Sequence, residues 1–185
     1  MTALQLWNRL EVRSGEARLC RHVNRWGARR TIARFFGVIS RLGDGVFWYC
    51  LMGVLLATGG WRGAQAAAHM AATGLVALAL YRTLKRWTRR PRPFRTHEGI
   101  VAHVPPLDEF SFPSGHTLHA VSFTLVAAAY YPWLLIVLLP FTALVATSRV
   151  VLGLHYPSDV IAASVIAGVL AGTSLWCVHG VTLFA

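Results

Sequence analysis

The sequence predicts an all-α protein, a polytopic membrane helix bundle of about five spans that follows an N-terminal amphipathic helix at the membrane interface. Two features of the 185-residue chain lead to this prediction. Hydrophobic residues make up 55% of the chain and charged residues only 14%, whereas soluble domains are about 25% charged. In addition, apolar runs recur along the chain, and a helix that spans a bilayer needs about 20 predominantly apolar residues.

The region before the first apolar run, residues 2–42, predicts the amphipathic helix. Basic residues recur there at helical spacing beside an apolar stripe, and the two sets are Arg18, His22, Arg25 and Arg29 beside Leu19, Val23 and Trp26. This pattern is typical of a helix that lies on anionic lipid headgroups; a partner-binding or frayed tail is the alternative. We therefore divide the chain into an interfacial segment, residues 1–43, and a membrane-embedded domain, residues 44–185.

Five later segments predict the spans, namely residues 46–60, 63–83, 116–131, 133–147 and 160–178. The first is short, because at about 1.5 Å per residue it covers only about 22 Å of a hydrocarbon layer about 30 Å thick. We expect it to extend back through Gly45 and Asp44 or to be buried among its neighbours. Five tryptophans near the ends of these segments are expected at the membrane interface: Trp48, Trp61, Trp87, Trp133 and Trp176.

Charge and connection lengths restrict the ligand and the face that binds it. The formal net charge is +11, an excess that favours nucleic acid, anionic lipid or a phosphate substrate. The apolar runs leave little surface for a duplex, so nucleic acid is not expected as a partner. If the chain crosses the membrane five times, the N-terminal region and the two longer connections lie on the same side of the membrane. These connections are residues 84–115 and 148–159.

The first polar cluster on that face, KRWTRRPRP, runs from Lys85 to Pro93. Lys85 lies at the end of a span, and Pro91 and Pro93 force the following backbone out of the helix. Lys85 and Arg92 can then curl around one anion, the lysine as a point charge and the arginine as a planar fork. The other arginines of this stretch are interpreted as snorkelling to headgroups: Arg86, Arg89, Arg90 and Arg95.

The second cluster, PSGH, precedes the third span. Pro113 ends the loop, and Ser114 is a natural N-cap for a helix that begins near His116. Gly115 has no side chain, so its N–H and those that follow can point at phosphate oxygens. His116 could give a proton to a leaving oxygen. On its own this cluster is weak evidence for an anion-binding site, since a capped helix start with a nearby histidine is common.

The third cluster runs from Ser148 to Asp159. Arg149 ends the fourth span, and His155 lies four residues before Asp159, one turn away if the backbone is nearly helical. A carboxylate on one imidazole nitrogen fixes the tautomer and leaves the other nitrogen free to attack a substrate. An ionisable pair beside a membrane span is costly to maintain and indicates function; an interfacial hydrogen-bonded pair is the alternative.

Together the clusters form three motifs in order: Lys85-x6-Arg92-Pro93, Pro113-Ser114-Gly115-His116 and Ser148-Arg149-x5-His155-x3-Asp159. This set resembles the type 2 phosphatidic acid phosphatase (PAP2) superfamily, which includes lipid phosphatases, glucose-6-phosphatase and vanadium haloperoxidases. Every motif position is matched with the family's spacing. Many membrane members have six spans, and here the Arg-rich helix stands in place of the first.

The resemblance implies a division of roles. His155 would be the nucleophile that forms a phosphohistidine, Asp159 would orient it, and His116 would protonate the leaving oxygen. No metal or other cofactor is implied, and Asp108 and Glu109 lack a third carboxylate, so we interpret them as solvated loop residues. The resemblance assigns the non-bridging phosphate oxygens to Lys85, Arg92, Arg149, Ser114 and the N–H of Gly115.

The expected function is that of an integral membrane phosphatase. Its substrate would be a lipid phosphate or diphosphate of the phosphatidylglycerophosphate, phosphatidate or undecaprenyl diphosphate type. A lipid phosphotransferase with the same intermediate and a non-catalytic lipid-binding membrane protein are the alternatives. Arg62 alone among the basic residues falls on the opposite face, so the positive-inside bias predicts a cytoplasmic catalytic face at the inner membrane. Relatives that recycle outer-leaflet carriers have that face outside, and the sequence predicts no oligomeric state.

Overall fold

The computed structural model describes the backbone of residues 12–183 and the side chains of residues 15–178. The ends of both predicted domains, residues 1–11 and 184–185, lie outside this range. The regular structure within it is helical, so the predicted all-α class is confirmed. Eight α-helices, a π-helical segment and a 3₁₀ turn follow one another along the described residues: α1 Val12–Gly27, α2 Arg30–Arg41, the π segment Leu42–Val46, α3 Phe47–Thr58, α4 Gly60–Thr88, α5 Pro93–Thr96, α6 Gly115–Tyr130, the 3₁₀ turn Pro132–Leu134, α7 Leu135–Val151 and α8 Pro157–Leu183.

Four stretches of the described chain are long and apolar enough to cross a membrane: Arg30–Thr58, Gly60–Thr96, Pro132–Val151 and Pro157–Val178. The first begins at Arg30 rather than at residue 46, because α2, the π segment and α3 follow one another without a loop. The boundary expected at residue 43 therefore lies within the kinked segment that joins α2 to α3. The sequence did not predict that this span includes α2, because the basic residues of α2 lower the hydropathy of a helix whose other face is apolar.

The remaining predicted span, α6, differs from the other four. It has 16 residues, fewer than the ~20 that a perpendicular span requires. It contacts α4, α7 and α8, and 10 of its 16 residues are buried. A helix enclosed by protein does not have to match the thickness of the hydrocarbon layer. The predicted spans are therefore four outer helical stretches around one short central helix.

The π segment redirects the chain at the entrance to α3. Gly45 has φ 138°, a conformation that residues with a side chain rarely adopt. Gly43 packs against α7, where an added Cβ would lie 2.7 Å from Cγ2 of Val145. This close approach brings Asp44, between the two glycines, to the wall of an internal cavity. π-helical turns inside α-helices are frequent at functional sites.

The tryptophan prediction is wrong at one position. Trp61, Trp87, Trp133 and Trp176 are exposed, as a helix end at the interface requires, but Trp48 is fully buried. Its ring lies 5.3 Å from that of Phe123, at the centre of a cluster that joins α3, α6 and α7. The backward extension of the span moves Trp48 from a helix end to its interior.

Helix α1 packs against the rest of the protein along one face. Ala17, Cys20 and Asn24 of this face are buried. The Asn24 side chain donates to the carbonyl oxygens of Val101 at 2.9 Å and Val151 at 3.1 Å, and it accepts from the N–H of Val101 at 2.9 Å. These bonds attach α1 to the loop after α5 and to the end of α7.

Candidate active site

A cavity of about 720 Å³ lies between α3, α4, α6 and the loop after α5. Residues from all three polar clusters line it. Of the motif residues, the C-terminal end of α4 and the following loop supply two cations, and the N-terminus of α6 supplies a glycine and a histidine. The last turn of α7 supplies an arginine, and the connection from α7 to α8 supplies a histidine. These lining residues are Lys85, Arg92, Gly115, His116, Arg149 and His155.

His155 presents one ring nitrogen to the cations of this cavity. Its Nε2 lies 3.3 Å from Nη1 of Arg92, which also donates to the carbonyl oxygen of Leu154 at 2.8 Å. The side chain is almost fully buried. Burial first, and then the positive charges of Arg92 and Arg149, lower the pKa of His155 well below its usual value. The imidazole is therefore neutral near pH 7, and Nε2 can carry a free lone pair.

The other ring nitrogen of His155 faces Asp159 without a closed hydrogen bond. Nδ1 lies 3.6 Å from Oδ2 of Asp159, beyond hydrogen-bond distance. The carboxylate instead accepts from Nη1 of Arg90 at 2.6 Å and from the N–H of Tyr156 at 2.8 Å. The interpretation of Arg90 as a snorkelling residue is wrong, because only 2% of it is exposed. A buried carboxylate requires such a partner, and its attraction outweighs that of the headgroups.

Asp108 joins the two cations of the first cluster. Nζ of Lys85 donates to both carboxylate oxygens, at 2.8 and 2.9 Å, and to the carbonyl oxygen of Phe110 at 2.8 Å. Arg92 donates from Nη2 to Oδ1 of Asp108 at 2.7 Å. Asp108 is an exposed loop residue, as expected, but its pairing with Lys85 and Arg92 was not predicted. An acidic pair, Asp108 and Glu109, in the loop after a cationic motif was the available signal, but loop residues have no periodicity that predicts their contacts.

In the second cluster, Ser114 caps helix α6 and Gly115 lines the cavity. Ser114 is buried, and its hydroxyl caps α6 by accepting from the N–H of Thr117 at 3.4 Å. The same oxygen lies 2.9 Å from Oγ1 of Thr117, so the structure places it in the cap. Gly115 lines the cavity, and an added Cβ would lie 3.3 Å from the ring of Tyr81. The missing side chain thus makes room for Tyr81 as well as for a ligand.

Two residues of the N-terminal spanning stretch reach the cavity region, and the motifs did not predict them. Oδ1 of Asp44 lies 3.4 Å from Nε2 of His116. The hydroxyl of Ser40 accepts a hydrogen bond from Nη1 of Arg149. Asp44 belongs to the Gly-Asp-Gly sequence that interrupts an apolar run, and this interruption was the signal that could have found it. Ser40 carried no such signal.

The part of the cavity away from the cations is apolar. It is lined by side chains of α3 and α4, including Met52, Leu75 and Leu78, and by Tyr49 and Trp48. Tyr49 and Leu75 are 70% and 68% exposed, so the cavity reaches the outer surface of the bundle between these two helices. The site thus combines a cationic, histidine-containing end with an apolar end on the lipid-facing side.

Among the described residues, no group of three or more His, Cys, Asp or Glu side chains is arranged to hold a metal ion. The cations that line the cavity outnumber its carboxylates, which include Asp44 and Asp108, and an excess of cations suits an anionic ligand.

The fold and the site define a class of helical membrane protein with a cationic pocket that contains two histidines. The sequence profile of the PAP2 superfamily matches residues 63–182, which is more than half of the chain and includes all three motifs. The chain belongs to the PAP2 superfamily.

Several characterised proteins are similar in sequence. Decaprenylphosphoryl-5-phosphoribose phosphatase of Mycobacterium tuberculosis is 39% identical over 111 residues, which cover 59% of each chain. Phosphatidylglycerophosphatase B of Escherichia coli is 36% identical over 73 residues, 36% of this chain and 28% of its own. Lipid A 1-phosphatase of Rhizobium etli is 32% identical over 112 residues, 58% and 47% respectively. The chain spans less than two thirds of the length of these curated relatives.

Two crystal structures share the fold. LpxE of Aquifex aeolicus superposes with a TM-score of 0.71 at 25% identity, over 85% of this chain and 93% of its own. The PAP2-type phosphatidylglycerolphosphate phosphatase of Bacillus subtilis gives a TM-score of 0.73 at 22% identity, over 93% and 88%. The chain is a multi-pass membrane protein of the same architecture.

Proposed function

We propose that the chain is an integral membrane phosphatase that hydrolyses a lipid phosphate or diphosphate through a phosphohistidine. One observation carries the proposal: Nε2 of His155 lies 3.3 Å from Arg92, in a cavity that also contains Lys85 and Arg149 and that has apolar walls. Fixed cations around a neutral imidazole suit phosphoryl transfer, in which positioning and charge stabilisation supply most of the catalysis.

In the first step, the lone pair of His155 Nε2 attacks phosphorus while the bond from phosphorus to the leaving oxygen breaks. His116 gives its proton to that oxygen, and Arg92 and Arg149 stabilise the charge on the non-bridging oxygens. In the second step, water attacks phosphorus and gives a proton to His116. The phosphorus–nitrogen bond then breaks, its electron pair returns to Nε2, and inorganic phosphate leaves.

Lys85 and Ser114 enter this mechanism differently. Lys85 is held by Asp108, so it becomes a phosphate ligand once the phosphate replaces that carboxylate. The Ser114 hydroxyl caps α6, so its proposed contribution is to fix the helix N-terminus whose N–H groups face the cavity, including that of Gly115. Asp159 is proposed to orient His155 and to stabilise its charged form.

The apolar end of the cavity supports a substrate with a hydrocarbon tail. The named activities of the relatives concern a decaprenylphosphoryl phosphoribose, phosphatidylglycerophosphate and lipid A. We therefore propose a phosphate group linked to a lipid, and phosphatidylglycerophosphate, phosphatidate and undecaprenyl diphosphate are the candidates to test. Fold alone does not choose among them.

A panel of these three lipids in detergent micelles, with purified chain, tests the proposal through released inorganic phosphate. Hydrolysis of at least one lipid, lost in His155→Ala, supports it. Absence of release from every lipid by folded wild-type protein would instead favour a non-catalytic lipid-binding protein. Appearance of the phosphate on a second lipid, with little free phosphate, would indicate a phosphotransferase.

We also propose an inner-membrane location with the catalytic face in the cytoplasm and α1 against anionic headgroups. The positive-inside bias supports the orientation. Arg25, Leu19 and Trp26 on the outward side of α1 are exposed, which supports contact with headgroups and with the interfacial region.

A further inference from the structure

Arg90 connects helix α1 to the first turn of α8. From the loop after α4, its Nη2 donates to Oε2 of Glu16 at 2.9 Å. Its Nη1 donates to Oδ1 of Asp159 at 2.6 Å and to the hydroxyl of Ser158 at 2.7 Å. The guanidinium carbon lies 4.1 Å from the centre of the Tyr156 ring. The planar, permanently charged fork of an arginine presents donors to two carboxylates in a fixed geometry, which the point charge of a lysine reproduces only in part.

Glu16 fixes the same turn by a second contact. Its Oε1 accepts from the N–H of Ser158 at 2.9 Å. Pro157 is the first residue of α8, and Ser158 follows it, so this N–H is one of the donors that a helix leaves unpaired at its N-terminus. A carboxylate there is also favoured by the helix dipole. Glu16 thus holds the turn that carries Asp159 both directly and through Arg90.

This arrangement determines where the Asp159 carboxylate points. Asp159 is fully buried, and its hydrogen bonds with Arg90 and the Tyr156 N–H leave Oδ2 facing Nδ1 of His155 at 3.6 Å. Among the described residues, Nδ1 of His155 has no hydrogen-bond partner. Nδ1 carries the proton when Nε2 bears a phosphoryl group, and an approach of a few tenths of an ångström would close a bond to Asp159 at that point.

We propose that Arg90 and Glu16 are positioning residues for the nucleophilic imidazole, acting through Asp159. The inference rests on the proposed phosphatase function. Glu16 lies outside residues 63–182, the region that matches the family profile, so α1 is part of the catalytic apparatus as well as a membrane-surface helix. Neither residue touches the phosphate, and the substitutions should therefore act on turnover rather than on substrate binding.

The test compares Arg90→Met, Arg90→Lys and Glu16→Gln with wild-type chain on phosphatidate, phosphatidylglycerophosphate and undecaprenyl diphosphate. Arg90→Met is expected to lower kcat about 10- to 100-fold with KM within about twofold, as for other residues that orient a catalytic group. Arg90→Lys should restore part of kcat, and Glu16→Gln should lower it about three- to tenfold. Arg34→Met and Glu98→Gln are exposed controls and should retain wild-type kcat.

A double variant separates positioning from folding. Because Glu16 acts in part through Arg90, Glu16→Gln added to Arg90→Met should lower kcat by less than it does alone. Retention of wild-type kcat in Arg90→Met, or a loss that appears only as a raised KM, would overturn the inference. A wild-type chain that hydrolyses none of the lipids would instead refute the proposed function. If Arg90→Met does not fold, the isosteric Glu16→Gln provides the test: a lowered kcat with unchanged KM supports the inference, and an unchanged kcat or only a raised KM overturns it.

Discussion

Oδ1 of Asp108 lies 2.7 Å from Nη2 of Arg92, so a carboxylate occupies one of the donors proposed to hold the phosphate. The same carboxylate binds Lys85 through both of its oxygens. A phosphate that uses both cations has to displace it, and the two anions compete. Substrate binding in the proposed mechanism is therefore an exchange of one anion for another.

Asp108→Asn is expected to strengthen inhibition by vanadate, an analogue of the pentacoordinate phosphoryl group. Removal of the competing charge should lower the vanadate Ki about three- to tenfold, within the range of one charge-assisted hydrogen bond. The measurement is phosphate release at increasing vanadate concentration. Glu109→Gln, which removes only the exposed pair with Arg95, is the matched control. A higher Ki in Asp108→Asn would mean that Asp108 holds the cations in place instead of competing for them.

His155→Ala is expected to reduce phosphate release by at least about 10³-fold, as removal of a nucleophile does elsewhere. Radiolabelled lipid phosphate should leave an alkali-stable, acid-labile label on wild-type chain and none on the variant. His22→Ala, at an exposed position of α1, should keep both activity and label. Turnover at the wild-type rate without His155 would contradict the phosphohistidine mechanism.

The burial of His155 predicts a pH-dependent contribution to stability. Its pKa is lowered in the folded chain, whereas in the unfolded chain it returns to about 6.5. Below that value the unfolded state binds more protons, so His155 destabilises the fold progressively as the pH falls, and it has no such effect above. The wild-type chain should therefore lose stability relative to His155→Asn, and the difference between their thermal midpoints should shrink, as the pH falls below about 6.5. A constant difference between pH 7.5 and pH 5 would contradict the predicted protonation.

The proposed orientation can be tested by cysteine labelling in intact cells. Cys50 and Cys177 are exposed and are first replaced by alanine. With a cytoplasmic catalytic face, a membrane-impermeant maleimide should label Arg62→Cys, in the first turn of α4, and leave Glu98→Cys unlabelled. Permeabilised cells, in which both positions should react, are the control. Labelling of Glu98→Cys in intact cells would place the catalytic face outside.

The sequence predicted the helical class and the motif residues that meet at the cavity because both depend on local patterns. Apolar periodicity identifies a membrane helix without knowledge of its neighbours, and the spacing from Lys85 to Arg92 or from His155 to Asp159 is a property of short segments. The burial of Trp48 and the start of the first span at Arg30 depend on packing between helices. Hydropathy averaged along one segment cannot predict that packing.

Contacts across the fold explain the other omissions. Glu16 and Arg90 are separated by 74 positions, and neither belongs to a motif position. Arg90 was interpreted as a headgroup contact, because a basic residue near a membrane is more often at headgroups than buried. No sequence pattern singled out Glu16. The pairings of Asp44 and Asp108 were also missed: each is an acid whose basic or imidazole partner lies on another element.

The enclosure of α6 has a consequence for how the enzyme would respond to different membranes. His116 lies in the first turn of α6. The depth of α6 in the membrane is set by its contacts with α4, α7 and α8 rather than by lipid chain length. Helices that match the bilayer instead tilt or shift as the bilayer thins. The proton donor and His155 would keep their mutual spacing in thin and thick bilayers alike. Lipid composition would then govern how readily a substrate enters between α3 and α4, and leave the chemical step itself unchanged.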